Sequence, residues 1–435
     1  MERFALSRMK EWKENENRKP LIIRGARQVG KTWIMKTFGQ QYFEKTAYVN
    51  FDNNARMKQV FEGDLDIERL VLAISAETGV SIEADNTLII FDEIQEVPKA
   101  LTSLKYFHEN APQYAIVAAG SLLGVALHQG TSFPVGKVDF LDLYPLNFRE
   151  FLCAMGEKQF VSMLDSCDTQ MVTVFKTKYI ERLREYYFVG GMPEVVKDFS
   201  EKKDYNRVRA IQKNLINYYQ QDFSKHAEIK LVPRLNLVWN SIPMQLAKEN
   251  KKYIYGQVRE GSRAKDFELA IQWLLDCGLI HKVQRIQKPD LPLKAYIDFD
   301  AFKLFLVDIG LLIAMTDLDA KVIIEGNKIF TEFKGSLTEQ YILQQLISDV
   351  GVIPYYYSTQ SSKGEIDFLV QGKTSVIPIE VKAEENLKAK SLKAFCEKYQ
   401  PSYAVRTSMS DYREQDWMTN IPLYAIKWIE NYVNQ

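Results

Sequence analysis

The segment that most restricts this chain is Gly25-Ala26-Arg27-Gln28-Val29-Gly30-Lys31-Thr32, which fits G-x-x-x-x-G-K-[ST] without a mismatch. It follows the apolar run Leu21-Ile22-Ile23 and opens a predicted helix from Trp33 to Phe38. Backbone N–H groups of the loop and the helix N-terminus would then converge on a phosphate. Lys31 would reach the β and γ phosphates, and the Thr32 hydroxyl would ligate Mg²⁺. Such a loop belongs to an α/β fold with a parallel sheet, and the first 150 or so residues have that rhythm. Besides Leu21 to Ile23, short apolar runs at Ala47 to Phe51, Thr87 to Phe91 and Tyr114 to Ala119 read as strands buried on both faces.

The third of these runs ends in Asp92-Glu93. An acid at the C-terminal edge of a neighbouring strand faces the crevice of the phosphate loop. Asp92 is expected to hold Mg²⁺, mostly through water, and Glu93 to polarise an attacking water. The fourth run leads into Gly120-Ser121, where Ser121 reads equally as a γ-phosphate contact and as a helix N-cap. Ala119 stands where a nucleophile elbow needs Gly.

A chain of 435 residues is expected to form two or three domains. From about Phe151 to Lys321 the pattern is helical, interrupted at Gly190-Gly191-Met192-Pro193. Lys265 to Asp276 reads as an amphipathic helix and Leu279 to Val283 as a strand, a pairing that suits a winged helix. Lys248, Lys251, Lys252, Arg259, Arg263 and Lys265 cluster just before it, and read at least as well as a solvated face. After Gly326 come a helix from Leu337 to Leu346 and three strands. Two of these, Gly364 to Val370 and Val376 to Lys382, flank a tight turn at Gly372 that would bring Asp367 beside Glu380. Glu380 and Lys382 share a face about 7 Å apart, so the set offers two carboxylates for Mg²⁺ with a lysine alongside. By pattern alone such a strand is more often a solvated face.

Lys plus Arg and Asp plus Glu are equal at 56 each, so any nucleic-acid surface must come from local clustering. The longest apolar stretch, Leu304 to Met315, is broken by Asp308 and too short for a bilayer, so no membrane partner is expected. The opening Met-Glu-Arg-Phe lacks a signal-peptide core, and Cys153, Cys167, Cys277 and Cys396 form no CxxC pair. Both features suggest a reducing cytoplasm. The four histidines have no i, i+4 pairing, which removes HExxH zinc chemistry.

At these residues the chain resembles bacterial and archaeal AAA-type ATPases whose C-terminal part is related to the PD-(D/E)XK nucleases. The resemblance rests on the loop at 25 to 32, Phe-Asp-Glu at 91 to 93 and Ala-Gly-Ser at 119 to 121. It continues in Tyr-Pro-Leu-Asn-Phe-Arg-Glu-Phe at 144 to 151, Gly-Gly-Met-Pro-Glu at 190 to 194 and Val-Asp-Ile-Gly-Leu-Leu at 307 to 312. It implies a P-loop AAA-type ATPase domain over 1–155, a helical, winged-helix-like domain over 156–325 and a restriction-endonuclease-like α/β domain over 326–435. ATP and Mg²⁺ are the implied cofactors, with Gly25 to Thr32 and Ser121 on the nucleotide. In the last domain Asp367, Glu380 and Lys382 fall on the D…ExK positions, and Glu339 matches an acid of that fold's first helix. The implied activity is ATP hydrolysis coupled to binding of DNA or RNA, with phosphodiester cleavage left open. The alternative is an ATP-switched signalling protein with a catalytically silent nuclease-like domain, working as a homo-oligomer or on a protein partner. Many relatives carry an Arg just before the Tyr-Pro-Leu segment, where this chain reads Pro134-Val135-Gly136-Lys137. Arg149 and Lys137 are therefore both candidates for the arginine finger.

Overall fold

A computed structural model of the chain describes residues 1–120, 124, 133–248, 251–324, 331–359, 364–384 and 389–435. They divide into two compact units: Glu2–Tyr144 with Asp276–Leu279, and Pro145–Leu275 with Ile280–Gln435 and Met1.

The first unit is built on five strands, β1 (Leu21–Arg24), β2 (Lys45–Asn50), β3 (Thr87–Asp92), β4 (Ala115–Ala119) and β5 (Asp139–Asp142), all parallel in the order β2-β3-β4-β1-β5. Every residue of β3 and β4 is buried, which is why these strands read as continuous apolar runs. β5 escapes the sequence reading because it is an edge strand: only Leu141 is buried in Asp139-Phe140-Leu141-Asp142. Phe51, Phe61 and Phe91 meet edge to face, with ring centroids 5.4 to 5.8 Å apart. Each such pair contributes about 0.5–1.5 kcal/mol beyond its buried area. The cluster anchors β3 immediately before Asp92.

Between β1 and the helix Lys31–Tyr42 the chain must turn sharply against β5's exit. Gly25 does this at φ +146°, and a Cβ there would stand 2.1 Å from the Leu143 carbonyl oxygen. No other residue fits. The helix then buries Ile34, Met35, Phe38 and Gly39, a 3–4 spacing that lays one face on the sheet.

The second unit holds an eight-stranded mixed sheet. Its strands are β6 (Ile280–Ile286), β7 (Ile297–Leu306), β8 (Tyr355–Ser358), β9 (Glu365–Gln371), β10 (Val376–Val381), β11 (Val405–Ser408), β12 (Arg413–Gln415) and β13 (Met418–Pro422), ordered β12-β13-β11-β10-β9-β8-β6-β7. The turn expected at Gly372 joins β9 to β10 as antiparallel neighbours, with Ile379 opposite Phe368. The helix Lys390–Tyr399 then leads to β11, which runs parallel to β10.

Here the structure departs from the expected winged-helix middle. The helix Ala264–Asp276 and β6 form as read, but β6 pairs with β7 on one side and in parallel with β8 on the other, with Arg285 opposite Tyr356. The hairpin is thus part of the large sheet, and residue 326 is not where that sheet begins. Partners so distant in the chain leave no mark on local periodicity.

The helix Thr331–Gln345 docks through amides as much as through apolar contacts. Gln340 exchanges hydrogen bonds with the Leu306 backbone at 3.0 and 2.7 Å, Gln344 accepts from the Ile309 N–H at 3.1 Å, and Gln345 accepts from the Phe148 N–H at 2.8 Å. Pairing of this kind lets glutamines lie buried without loss. It also sets the position of Glu339, one residue before Gln340.

Candidate functional site

At the phosphate loop the Lys31 ammonium is buried and donates to the carbonyl oxygens of Gly25 at 2.9 Å and Ala26 at 2.8 Å. Burial pulls its pKa down to about 8 against the opposing pull of Glu93 and Asp92. A buried cation held by carbonyl dipoles is a group prepared for an anion. The Thr32 hydroxyl donates to Asp92 Oδ2 at 2.7 Å, and the Tyr48 hydroxyl donates to the same oxygen at 2.9 Å. Asp92 Oδ1 accepts from the Glu93 N–H at 3.1 Å. Glu93 itself stands at φ +50° and accepts from Gln95 Nε2 at 2.7 Å.

Asp92 was expected on a strand beside β1. It lies one strand further away, because β4 intervenes, yet its carboxylate still reaches Thr32. The two oxygens are the hard donors that Mg²⁺ takes, and Tyr48 orients one of them, so these residues fit the ion. When bound there, Mg²⁺ would supply positive charge beside the phosphates. Ser121 lies outside the described residues.

Tyr48 was not foreseen. It sits on β2 opposite Ile90, two residues from Asp92, and so shares a face with it. Burial, then Asp92, raises its pKa well above the ordinary phenol value.

In the second unit the four carboxyl-terminal candidates do not form one cluster. Asp367 Oδ2 accepts the Val381 N–H at 2.7 Å, and burial followed by Glu339 pushes its pKa up to about 7, against Lys303 and Lys251. Glu339 is ion-paired with Lys251 and lies 3.6 Å from Lys303 Nζ. Burial alone would raise its pKa, but these two lysines hold it below the ordinary value. Glu380 instead pairs with Lys382 at 2.7 Å, while its second carboxylate oxygen is buried with no hydrogen-bond partner among the described residues. Among the described residues no three acidic, histidine or cysteine side chains converge on a point that could hold a metal ion. Glu339, Asp367 and Glu380 therefore do not all three converge on one point in this structure. Glu339 already has ammonium partners, and Glu380 has its own.

Lys303 and Glu365 were also missed. Lys303 has no exposed side-chain surface and is ion-paired with Glu365. Burial disfavours its charge, but Glu339, Glu365 and Asp367 outweigh that and hold its pKa above the ordinary value. Sequence offered one hint, a lone lysine in the apolar run from Ala301 to Leu306. Lys251, read as part of a basic surface, is turned inward onto Glu339, its side chain 13% exposed.

Residues 17–152 match the family model described as an AAA domain. That stretch is an AAA-type P-loop domain. Residues 180–322 and 334–426 match two families each described as a domain of unknown function, DUF8612 and DUF4143. No curated protein matches the chain in sequence. Among solved structures, a Walker-type ATPase of Pyrococcus abyssi is 15% identical, covering 72% of this chain and 95% of its own, at a TM-score of 0.44. The Orc1 protein of Aeropyrum pernix in complex with DNA is 14% identical, over 72% of this chain and 91% of its own, at 0.27. Cdc6p from Pyrobaculum aerophilum is 11% identical, over 74% and 93%, at 0.25. These scores are too low to bear on the fold or function of this chain.

Neither arginine-finger candidate stands ready in the structure. Arg149 is ion-paired with Asp165 and, at 2.8 Å, with Asp349, its side chain 11% exposed. Lys137 pairs with Glu109 at 2.9 Å. Both are engaged in holding their own units together. Among the described residues no helix is long and apolar enough to cross a membrane.

Proposed function

We propose that the AAA-type domain hydrolyses ATP with Mg²⁺ and that its nucleotide state controls a nucleic-acid-binding C-terminal region. The observation that carries this reading is the Lys31, Thr32, Asp92 and Tyr48 arrangement, with Glu93 beside it. The backbone of residues 25–30 would cradle the phosphates, and Lys31 would exchange its two carbonyl partners for phosphate oxygens. Thr32 and Asp92 would present oxygens to the ion, and a Glu93 carboxylate oxygen would take the proton of the attacking water. Ser121 is kept as a γ-phosphate contact. ATP turnover by purified protein, lost in Lys31→Ala and in Glu93→Gln, tests this. Turnover unchanged in Glu93→Gln would sink the assignment of the base.

For the rest of the chain the proposal follows the resemblance: an ATPase domain over about the first 155 residues is coupled to a restriction-endonuclease-like region whose sheet takes in β6 and β7 as well as the strands after 326, in a cytoplasmic protein. Asp367, Glu380, Lys382 and Glu339 carry the D…ExK correspondence, on a helix, three antiparallel strands, a helix and a parallel strand. Between cutting and binding, the ion pairs of Glu339 and Glu380 favour binding. The same ion pairs favour the second reading, in which this domain is silent in catalysis and contacts a protein. Incubation with DNA and RNA in Mg²⁺ or Mn²⁺, with Lys382→Ala as control, separates cutting from the other two. Lys382-dependent cleavage would restore the nuclease.

A further inference from the structure

Lys303 reaches from β7, at one edge of the eight-stranded sheet, past the ring of Tyr356 on β8, whose centroid is 4.8 Å from its Nζ, to the acids around β9. There it is ion-paired with Glu365 and stands 3.6 Å from Glu339 Oε2. Lys251 takes the other oxygen of Glu339. An ammonium with no exposed surface is tolerated only where several anionic partners compensate its lost hydration. The dependence is mutual, since Glu339 is buried too.

The balance of charge is nearly closed. Glu339, Glu365 and Asp367 face Lys251 and Lys303, and the side chain of each of these lysines pairs with at least one of the acids, while Glu380 has Lys382 to itself. A divalent ion entering among them would meet two ammonium groups at Glu339, that of Lys303 fully buried, and its like charge would be poorly screened there. An acid set prepared for a metal instead leaves its oxygens converging and short of cations.

We propose that Lys303, assisted by Lys251, supplies to Glu339, Glu365 and Asp367 the positive charge that a divalent cation would otherwise bring, so that these acids are held in place without metal. This rests on the nuclease-like reading above and decides between its two forms. The lysines neutralise the acids and tie the helix Thr331–Gln345 to the sheet. They activate no water.

The test is Mn²⁺ binding to the full chain carrying Asp92→Ala, which removes the P-loop ligand, followed by the spectroscopic signal of the free ion and by thermal unfolding. With Lys303 present, no Mn²⁺ is expected to bind at the C-terminal acids. Lys303→Met added to that background is expected to bind Mn²⁺ at least about tenfold more tightly and to regain thermal stability with it. If Lys303→Met does not fold, Lys251→Met takes its place with the same expectation. Uptake of one Mn²⁺ by the Lys303 protein, lost on Asp367→Asn, overturns the proposal. So does the absence of any Mn²⁺ response in lysine variants that fold. Failure of the nuclease-like reading would appear separately, as a native protein that neither binds nor cleaves DNA or RNA, whatever its response to Mn²⁺.

Discussion

Lys31, Asp92 and Glu93 need different surroundings, and the first unit supplies each. Lys31 must be charged yet short of anions, and burial against two carbonyl oxygens provides that. Asp92 must present one oxygen in a fixed direction, and it is held by Thr32, Tyr48 and the Glu93 N–H. Glu93→Gln keeps the size of the side chain and removes the base, so nucleotide binding should persist while turnover falls by about 10²–10⁴-fold. Equilibrium binding of a fluorescent ATP analogue beside steady-state turnover checks both halves. Tyr48→Phe removes one donor from a buried carboxylate and should lower stability by about 1–2 kcal/mol, read as a shift in the urea midpoint. An unchanged midpoint would mean Tyr48 leaves Asp92 indifferent. Gly25 to Thr32 and Asp92 were legible because their spacing is local. Tyr48 was not, because its contact exists only through the pairing of β2 with β3.

Among elements, the break at Gly190-Gly191 acquires a cause. Gly191 donates its N–H to Asp308 Oδ2 at 2.6 Å, and a Cβ on it would lie 2.1 Å from the Leu146 carbonyl oxygen. Asp308 also caps the helix Ile309–Met315 through the Leu311 N–H at 3.1 Å. Gly191→Ala drives a methyl into backbone that cannot yield, and should cost about 1–3 kcal/mol or more of stability by denaturant titration. Burial first, against these N–H donors, raises the Asp308 pKa from 3.8 to about 6. The folded state therefore keeps a proton that the unfolded state gives up as pH rises from about 4. Stability contributed at this position should fall by about 2 kcal/mol between pH 4.5 and 7.5 and then level off. Asp308→Asn has no proton to lose but keeps one acceptor oxygen where Gly191 and Leu311 donate to two, so it should be the less stable protein at low pH, with that deficit shrinking by the same amount over the same range. Urea unfolding of the two proteins at pH 4.5 and 7.5 reads it. A difference that does not change with pH would refute the assignment.

At the scale of the whole molecule, nucleotide control requires that ATP and ADP differ in some contact that the rest of the protein can register. The proposal predicts nucleic-acid affinity that differs between the ATP and ADP states and falls steeply with salt, since the chain carries no net charge and any binding surface must be a local patch. Fluorescence anisotropy with labelled DNA and RNA across a salt series, repeated with Lys31→Ala, measures this. Affinity that ignores both nucleotide and salt would favour a protein partner. Turning Lys251 inward removes one cation from the basic stretch on which such a patch was expected. By itself the sequence determined the phosphate loop, the acids of β3, the α/β character of the first unit and the strand–turn–strand that carries Asp367 and Glu380. Each depends on residues close together in the chain, where steric turn rules and alternation act directly. Tertiary structure alone decided that β6 and β7 join the C-terminal sheet, that β4 separates β1 from β3, and that lysines from two distant segments meet Glu339. Those outcomes depend on which distant strands pair and which charges are buried together, energies that no local spacing records.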